Sequence, residues 1–94
     1  MTLHQLEVWI VVAKHRSVTK AADELHIRQP SVFLQVKLLE KEYGLKLYKF
    51  TAGRGMELTP AGTLLLKHAK KVLLQVKILE SKLKSSRKRR GRRR

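Results

Sequence analysis

Lys37 and Lys41 stand four residues apart, about one helical turn, and Arg54 stands alone between Gly53 and Gly55. Each is a fixed positive charge in a setting that can present it, which suits contact with the phosphates of a polyanion. Gln29, just before Pro30, adds an amide that can hydrogen-bond a base edge. Other chemistries lack their residues. His4, His15, His26 and His68 fall at no metal-ligand spacing with one another or with acids, and the chain has no cysteine. No nucleophile–base set and no glycine-rich phosphate loop is visible, so no enzyme, cofactor or metal centre is expected. Glu7, Asp23, Glu24, Glu40, Glu42, Glu57 and Glu80 read as surface charge.

The charge balance points the same way. The 94 residues hold 22 Lys and Arg against 7 Asp and Glu, a net +15. Residues 1–81 account for +6, and residues 82–94, with nine basic side chains and no acid, for +9. Nucleic acid is the first partner such a balance implies, and an anionic membrane surface the second. The length allows one small domain and excludes a two-lobed enzyme. Residues 3–12 are interrupted by His4, Gln5 and Glu7, unlike a secretory signal, and the longest apolar runs are far short of a membrane span. The expectation is a soluble, cytoplasmic, nucleoid-associated protein with no membrane partner.

The elements that must position these residues are legible in outline. A first helix is expected from Leu3 to His15, with Thr2 and Gln5 at capping-box spacing and Leu3, Leu6, Trp9 or Ile10, and Ala13 as its apolar face. A second, short helix covers Thr19 to Leu25, capped by Ser17 or Thr19, with Ala21 and Ala22 small enough for close approach. After the tight connection His26-Ile27-Arg28, a third helix opens at Gln29-Pro30 and ends at Tyr43 before Gly44. Its buried stripe is Val32, Val36, Leu39 and Tyr43. Its outward face holds Pro30, Leu34, Lys37 and Lys41, flanked by Phe33 and Leu38. Leu47–Phe50 and Met56–Leu58 read as two short strands with Arg54 at the tip of their hairpin. Thr59 and Pro60 start a last helix to Lys84, about 36 Å long at ~1.5 Å per residue. On it Leu65, Ala69, Val72, Val76, Leu79 and Leu83 follow heptad spacing, the pattern of a dimerisation seam. Residues 85–94, only Ser, Gly, Lys and Arg, are expected to be a disordered basic tail.

The fold class expected is therefore mainly α with a small β-hairpin wing: a winged helix-turn-helix over residues 1–58, a dimerisation helix over 59–84, and a tail. The residues also resemble those of the LysR-type transcriptional regulators. The match runs through Leu3, Leu6 and Trp9, then Ser17-Val-Thr-Lys-Ala-Ala to Leu25. It continues through Gln29-Pro30-Ser31-Val32, Val36, Leu39-Glu40 and Gly44, and closes with Leu47-Tyr48 and Leu58-Thr59-Pro60-Ala61-Gly62. The resemblance implies a homodimeric double-stranded-DNA-binding domain in which Gln29, Pro30, the start of the third helix and the wing contact DNA; with the charges above, the contacts expected are Thr19, Arg28, Gln29, Pro30, Ser31, Phe33, Leu34, Lys37, Lys41 and Arg54. Four positions depart from the usual pattern. Arg28 and Phe33 stand where serine is common, Leu34 where Arg or Gln is frequent, and Phe50 where an arginine is usual. Apolar side chains on the DNA-reading face cannot hydrogen-bond base edges but can touch thymine methyls. The family normally continues into a ligand-sensing domain of two α/β lobes, so no effector ligand is expected for these 94 residues. Two other readings are open: a sequence-indifferent DNA-coating protein, and a protein-interaction module using the Phe33–Leu34 face.

Overall fold

Thr2 and Gln5 start the first helix by satisfying each other: the Gln5 N–H donates to the Thr2 hydroxyl and the Thr2 N–H to the Gln5 amide oxygen, both at 3.0 Å. The computed structural model describes the backbone of residues 1–93 and the side chains as far as Arg87. Its elements are α1 (Leu3–His15), α2 (Val18–Leu25), α3 (Gln29–Tyr43), β1 (Tyr48–Thr51), β2 (Gly55–Leu58) and α4 (Pro60–Arg93). Each boundary has a local cause. Ser17 accepts from the Lys20 N–H to cap α2, Gly44 ends α3 in the left-handed region at φ +63°, and Thr59 accepts from the Gly62 N–H to cap α4.

The head is built around α1, which packs against α2, α3 and α4. Val8, Trp9, Val12, Ala21 and Val32 have no accessible surface, and Leu39 is nearly as buried. Because three helices cover α1, its buried face is wider than the expected stripe and takes in Val8, Val11 and Val12. Leu3 is half exposed instead, at a rim it shares with Leu73 and Val76 of α4. Tyr43 is also half exposed, contrary to its place in the expected α3 stripe. It is the last residue of α3 and opens onto an apolar groove with Met1, Leu45 and Leu64.

The hairpin pairs β1 and β2 antiparallel, Tyr48 opposite Leu58 and Thr51 opposite Gly55. Gly53 and Gly55 take positive φ at the turn, where a side chain would strain the backbone. Leu47, expected to begin the first strand, plugs the core instead. Its N–H donates to the Glu40 carboxylate at 2.8 Å and its carbonyl accepts from the Thr59 N–H at 3.0 Å, so both groups point away from the hairpin ladder. α4 overshoots the head, and the molecule measures 64 Å by 25 Å by 21 Å. The helix also continues to Arg93, past the Lys84 boundary and through most of the stretch expected to be disordered. Lys and Arg are good helix formers, and no proline interrupts them. Arg94 lies outside the described residues.

Candidate nucleic-acid interface

The outward face of α3 is set by what holds its inner face. Val32, Val36 and Leu39 are buried against α1 and α2, and at 100° per residue that leaves Pro30, Leu34, Lys37 and Lys41 pointing away from the core. All four are exposed, as are Phe33 and Leu38 on the flanks. The α2–α3 turn is tight because His26 adopts the left-handed conformation at φ +57°, its N–H returning to α2 carbonyls. This brings Thr19, at the start of α2, and Arg28, Gln29 and Ser31, at the start of α3, to the exposed surface beside that face. A second tie fixes α2: Lys14 and His15 of α1 both reach Glu24, at 3.0 and 2.7 Å. The Lys14 hydrogen bond, with that of His15, holds the Glu24 carboxyl below its ordinary range.

The wing lies beside α3. Tyr48 stacks on Trp9, ring centres 6.4 Å apart, and meets the edge of Phe50 at 5.6 Å. This aromatic row fastens the wing to α1, with Phe50 at its solvent end. Burial pushes the Tyr48 phenol pKa up, and the nearby Glu40 charge adds to the shift. Arg54 stands at the tip, as the Gly-Arg-Gly sequence suggests, but it is not free: its guanidinium lies 3.5 Å from Glu57, whose other oxygen accepts from Thr51. An exposed pair of this kind is worth at most about 1 kcal/mol, so a phosphate can displace it. Lys37 and Lys41 meet no carboxylate within 4 Å among the described residues.

Ten expected contact residues thus share the exposed surface of α2, α3 and the wing. The six expected seam residues do not share one environment. Ala69 is buried and Leu65 packs onto the head core, so both serve their own domain. Val76 is half-buried, while Val72, Leu79 and Leu83 are exposed. Heptad spacing cannot tell a stripe that covers its own head from one that awaits another chain. Two positioning residues escaped the sequence reading. Glu40, expected to be surface charge, is nearly buried and ties α3 to the start of the wing through Leu47. Gly62 accepts a buried hydrogen bond from the Trp9 indole at 3.0 Å and fixes the start of α4. No group of His, Asp or Glu able to hold a metal ion, and no helix long and apolar enough to cross a membrane, occurs among the described residues.

Two helices meeting through a tight turn, the second presenting a basic outer face beside a two-stranded hairpin, define a winged helix-turn-helix protein. The pattern of the family described as bacterial regulatory helix-turn-helix protein, lysR family, matches residues 3–63. The chain belongs to that family. It is 42% identical over 85 residues to the HTH-type transcriptional regulator CfxR of Cupriavidus necator, covering 90% of this chain and 26% of CfxR. The chain thus spans about a quarter of the length of the curated relatives it matches. Among solved structures it resembles the BenM_DBD/benA site 1 DNA complex, with a TM-score of 0.84 and 35% identity over 90% of this chain and 94% of that one. The CbnR_DBD–DNA complex is equally similar, with a TM-score of 0.84 and 31% identity over 92% of this chain and 98% of that one.

Proposed function

We propose that this chain is the DNA-binding part of a transcriptional regulator, which grips duplex DNA as a homodimer through α3 and the wing. The observation that carries the reading is the outer face of α3. Lys37 and Lys41 project from it without acidic partners among the described residues, Gln29 stands at its start, and Arg54 lies on the adjoining wing. An α-helix of this kind fits the major groove, with a wing against the neighbouring backbone. The same fold in BenM_DBD and CbnR_DBD is solved on DNA. Val72, Leu79 and Leu83, with Leu64, supply exposed apolar surface along α4 for a second copy. Pairing there would place two α3 helices on half-sites a whole number of turns apart, about 34 Å each. The natural setting is the cytoplasm, on the chromosome, and effector sensing falls outside these residues.

The test is selection of a duplex from a random pool, followed by competition between it and a scrambled duplex at ~150 mM salt. Preference by about a thousandfold or more supports a site-specific regulator. Equal affinity would make the chain a sequence-indifferent coating protein, and no affinity for either would refute DNA binding. Lys37→Ala with Lys41→Ala should weaken both duplexes alike and lower the salt slope by about one for each phosphate no longer neutralised.

A further inference from the structure

The recognition face carries more apolar surface than phosphate binding explains. Phe33 is 46% exposed, Leu34 54% and Leu38 42%, and Pro30 lies exposed beside them. None is needed by the core, which Val32, Val36 and Leu39 of the same helix already fill. Phe33 and Leu34 line an open groove with Pro30, Lys37 and Tyr48, between α3 and the base of the wing. A large apolar group left in water on a helix is disfavoured, so a contiguous set of them marks a surface that becomes covered. The flanking charges identify what covers it. Arg28, Lys37 and Lys41 flank the set on the exposed surface and outnumber the exposed acid beside it, Asp23 of α2, which shares a groove with Phe33, while Glu40 of α3 is turned inward to the Leu47 N–H. A polyanion with small apolar groups spaced along a groove fits both features.

We propose that Phe33 and Leu34 are specificity-determining residues that read the C5-methyl groups of thymine in the major groove. The inference rests on the DNA-binding reading above and deepens it. Thymine is the standard base that carries a methyl group on the major-groove edge, where the other bases show donors, acceptors or, in cytosine, only the smaller C5–H. Phenyl and isobutyl groups offer no hydrogen bond to those features. Over a cytosine or adenine amino group they would strip water and return nothing, which penalises the wrong base. Over a thymine methyl they bury apolar surface on both sides. Lys37, on the same face, sets the depth of the helix by holding a phosphate, and Gln29 is left for a hydrogen-bonded base.

The experiment takes the duplex selected by the full chain and replaces each thymine in turn with deoxyuridine, which removes the methyl and keeps the pairing. At one or more positions in each half-site, affinity should fall about fourfold, the factor carried by burial of one methyl-sized group. Phe33→Ala and Leu34→Ala, both at exposed positions, should keep the fold and bring the thymine-to-deoxyuridine ratio at their positions to about one. Lys37→Ala should weaken both duplexes while the ratio persists. A ratio within experimental error of one at every thymine, while the selected duplex is still preferred, would overturn this inference and leave DNA binding standing. So would a ratio that survives Phe33→Ala with Leu34→Ala, in which case the apolar face is covered by protein. Failure to bind any duplex would overturn both readings.

Discussion

Gly62 is the position at which a single added methyl should do most damage. A Cβ there would overlap the Leu47 carbonyl oxygen, lie 3.0 Å from the Leu47 carbonyl carbon, and stand 2.9 Å from Cζ2 of Trp9. The first two are backbone atoms, which no rotamer change relieves. That carbonyl also accepts from the Thr59 N–H at 3.0 Å, and the Gly62 carbonyl accepts from the Trp9 indole at 3.0 Å. Relief of the overlap must therefore pull α4 away from the head and stretch one or both bonds. Overpacking of this kind costs about 1–3 kcal/mol, and a buried donor left unpaired costs about 1–3 kcal/mol more. Against this stands the helical preference for alanine over glycine, at most about 1 kcal/mol. Gly62→Ala should destabilise by about 2–4 kcal/mol and lower Tm by at least about 10 °C in a domain this small. Circular dichroism at 222 nm reads the melt, and the fluorescence of Trp9, the single tryptophan, reports whether its pocket has opened.

Gly44→Ala is the matched control. Gly44 sits at φ +63° with nothing within 4 Å of an added Cβ, so its cost is conformational only, about 1 kcal/mol. Crowding at α4 is refuted if Gly62→Ala melts within about 2 °C of the parent, or above Gly44→Ala, because it would then not exceed backbone strain at a free turn.

Three further outcomes follow from the same contacts. Val72→Glu with Leu79→Glu, at two exposed positions on α4, should give a monomer by light scattering with helicity retained; an unchanged dimer mass would exclude this face as the interface. Glu40→Ala should cost about 1–3 kcal/mol by leaving the Leu47 N–H unpaired, and Glu40→Gln, which keeps an acceptor, should cost less in urea unfolding. The Tyr48 phenol has a raised pKa in the folded protein, so its contribution is complete below the unfolded value near ~10 and is lost as the pH rises from there through the higher folded value. Tyr48→Phe should therefore flatten the alkaline fall in Tm, and an unchanged slope would count against burial as the cause. The depressed Glu24 carboxyl acts at the other end, stabilising above its unfolded value of 4.5 and losing that contribution as the pH falls, so Glu24→Gln should flatten the acid limb.

Features set by neighbouring residues were legible in the order of amino acids. Thr2 with Gln5, Ser17, Gly44, and Thr59 with Pro60 mark ends of four helices through interactions confined to one turn. The outward face of α3 followed as well, since its polarity is a local period. What was illegible depends on distant parts of the chain. Leu65 and Ala69 share their period with Val72 and Leu79, and only the position of α1 decides which of them are buried. Glu40 looked like any surface acid until Leu47 arrived beside it, and Gly62, present in the resembling pattern, had no visible task until Trp9, 53 positions earlier, was placed against its carbonyl. The end of α4 was misjudged for another reason: composition alone does not decide helix against coil for a run of Lys, Arg and Ser.

The contact surface divides its work unevenly. Lys37 and Lys41 are point charges on flexible stems, suited to phosphates whatever the sequence between them. Arg54 on the wing meets Glu57 only through an exposed pair that a phosphate can displace, so it too suits the backbone. That leaves Gln29 as the one amide among the expected contacts able to make a paired hydrogen bond to a base, and one such pair discriminates by about 1–3 kcal/mol. A regulator that finds its site among a genome's competing sequences needs about 4–10 kcal/mol of preference. Two copies of Gln29 in a dimer reach the lower part of that range. Arg28, exposed beside Gln29, can add a guanidinium hydrogen bond to a base, and Phe33 and Leu34 are exposed on α3 where they can discriminate without one. Replacing them with serine and arginine, the residues common at those positions in the resembling pattern, should therefore change which site is selected and not merely how tightly it is held.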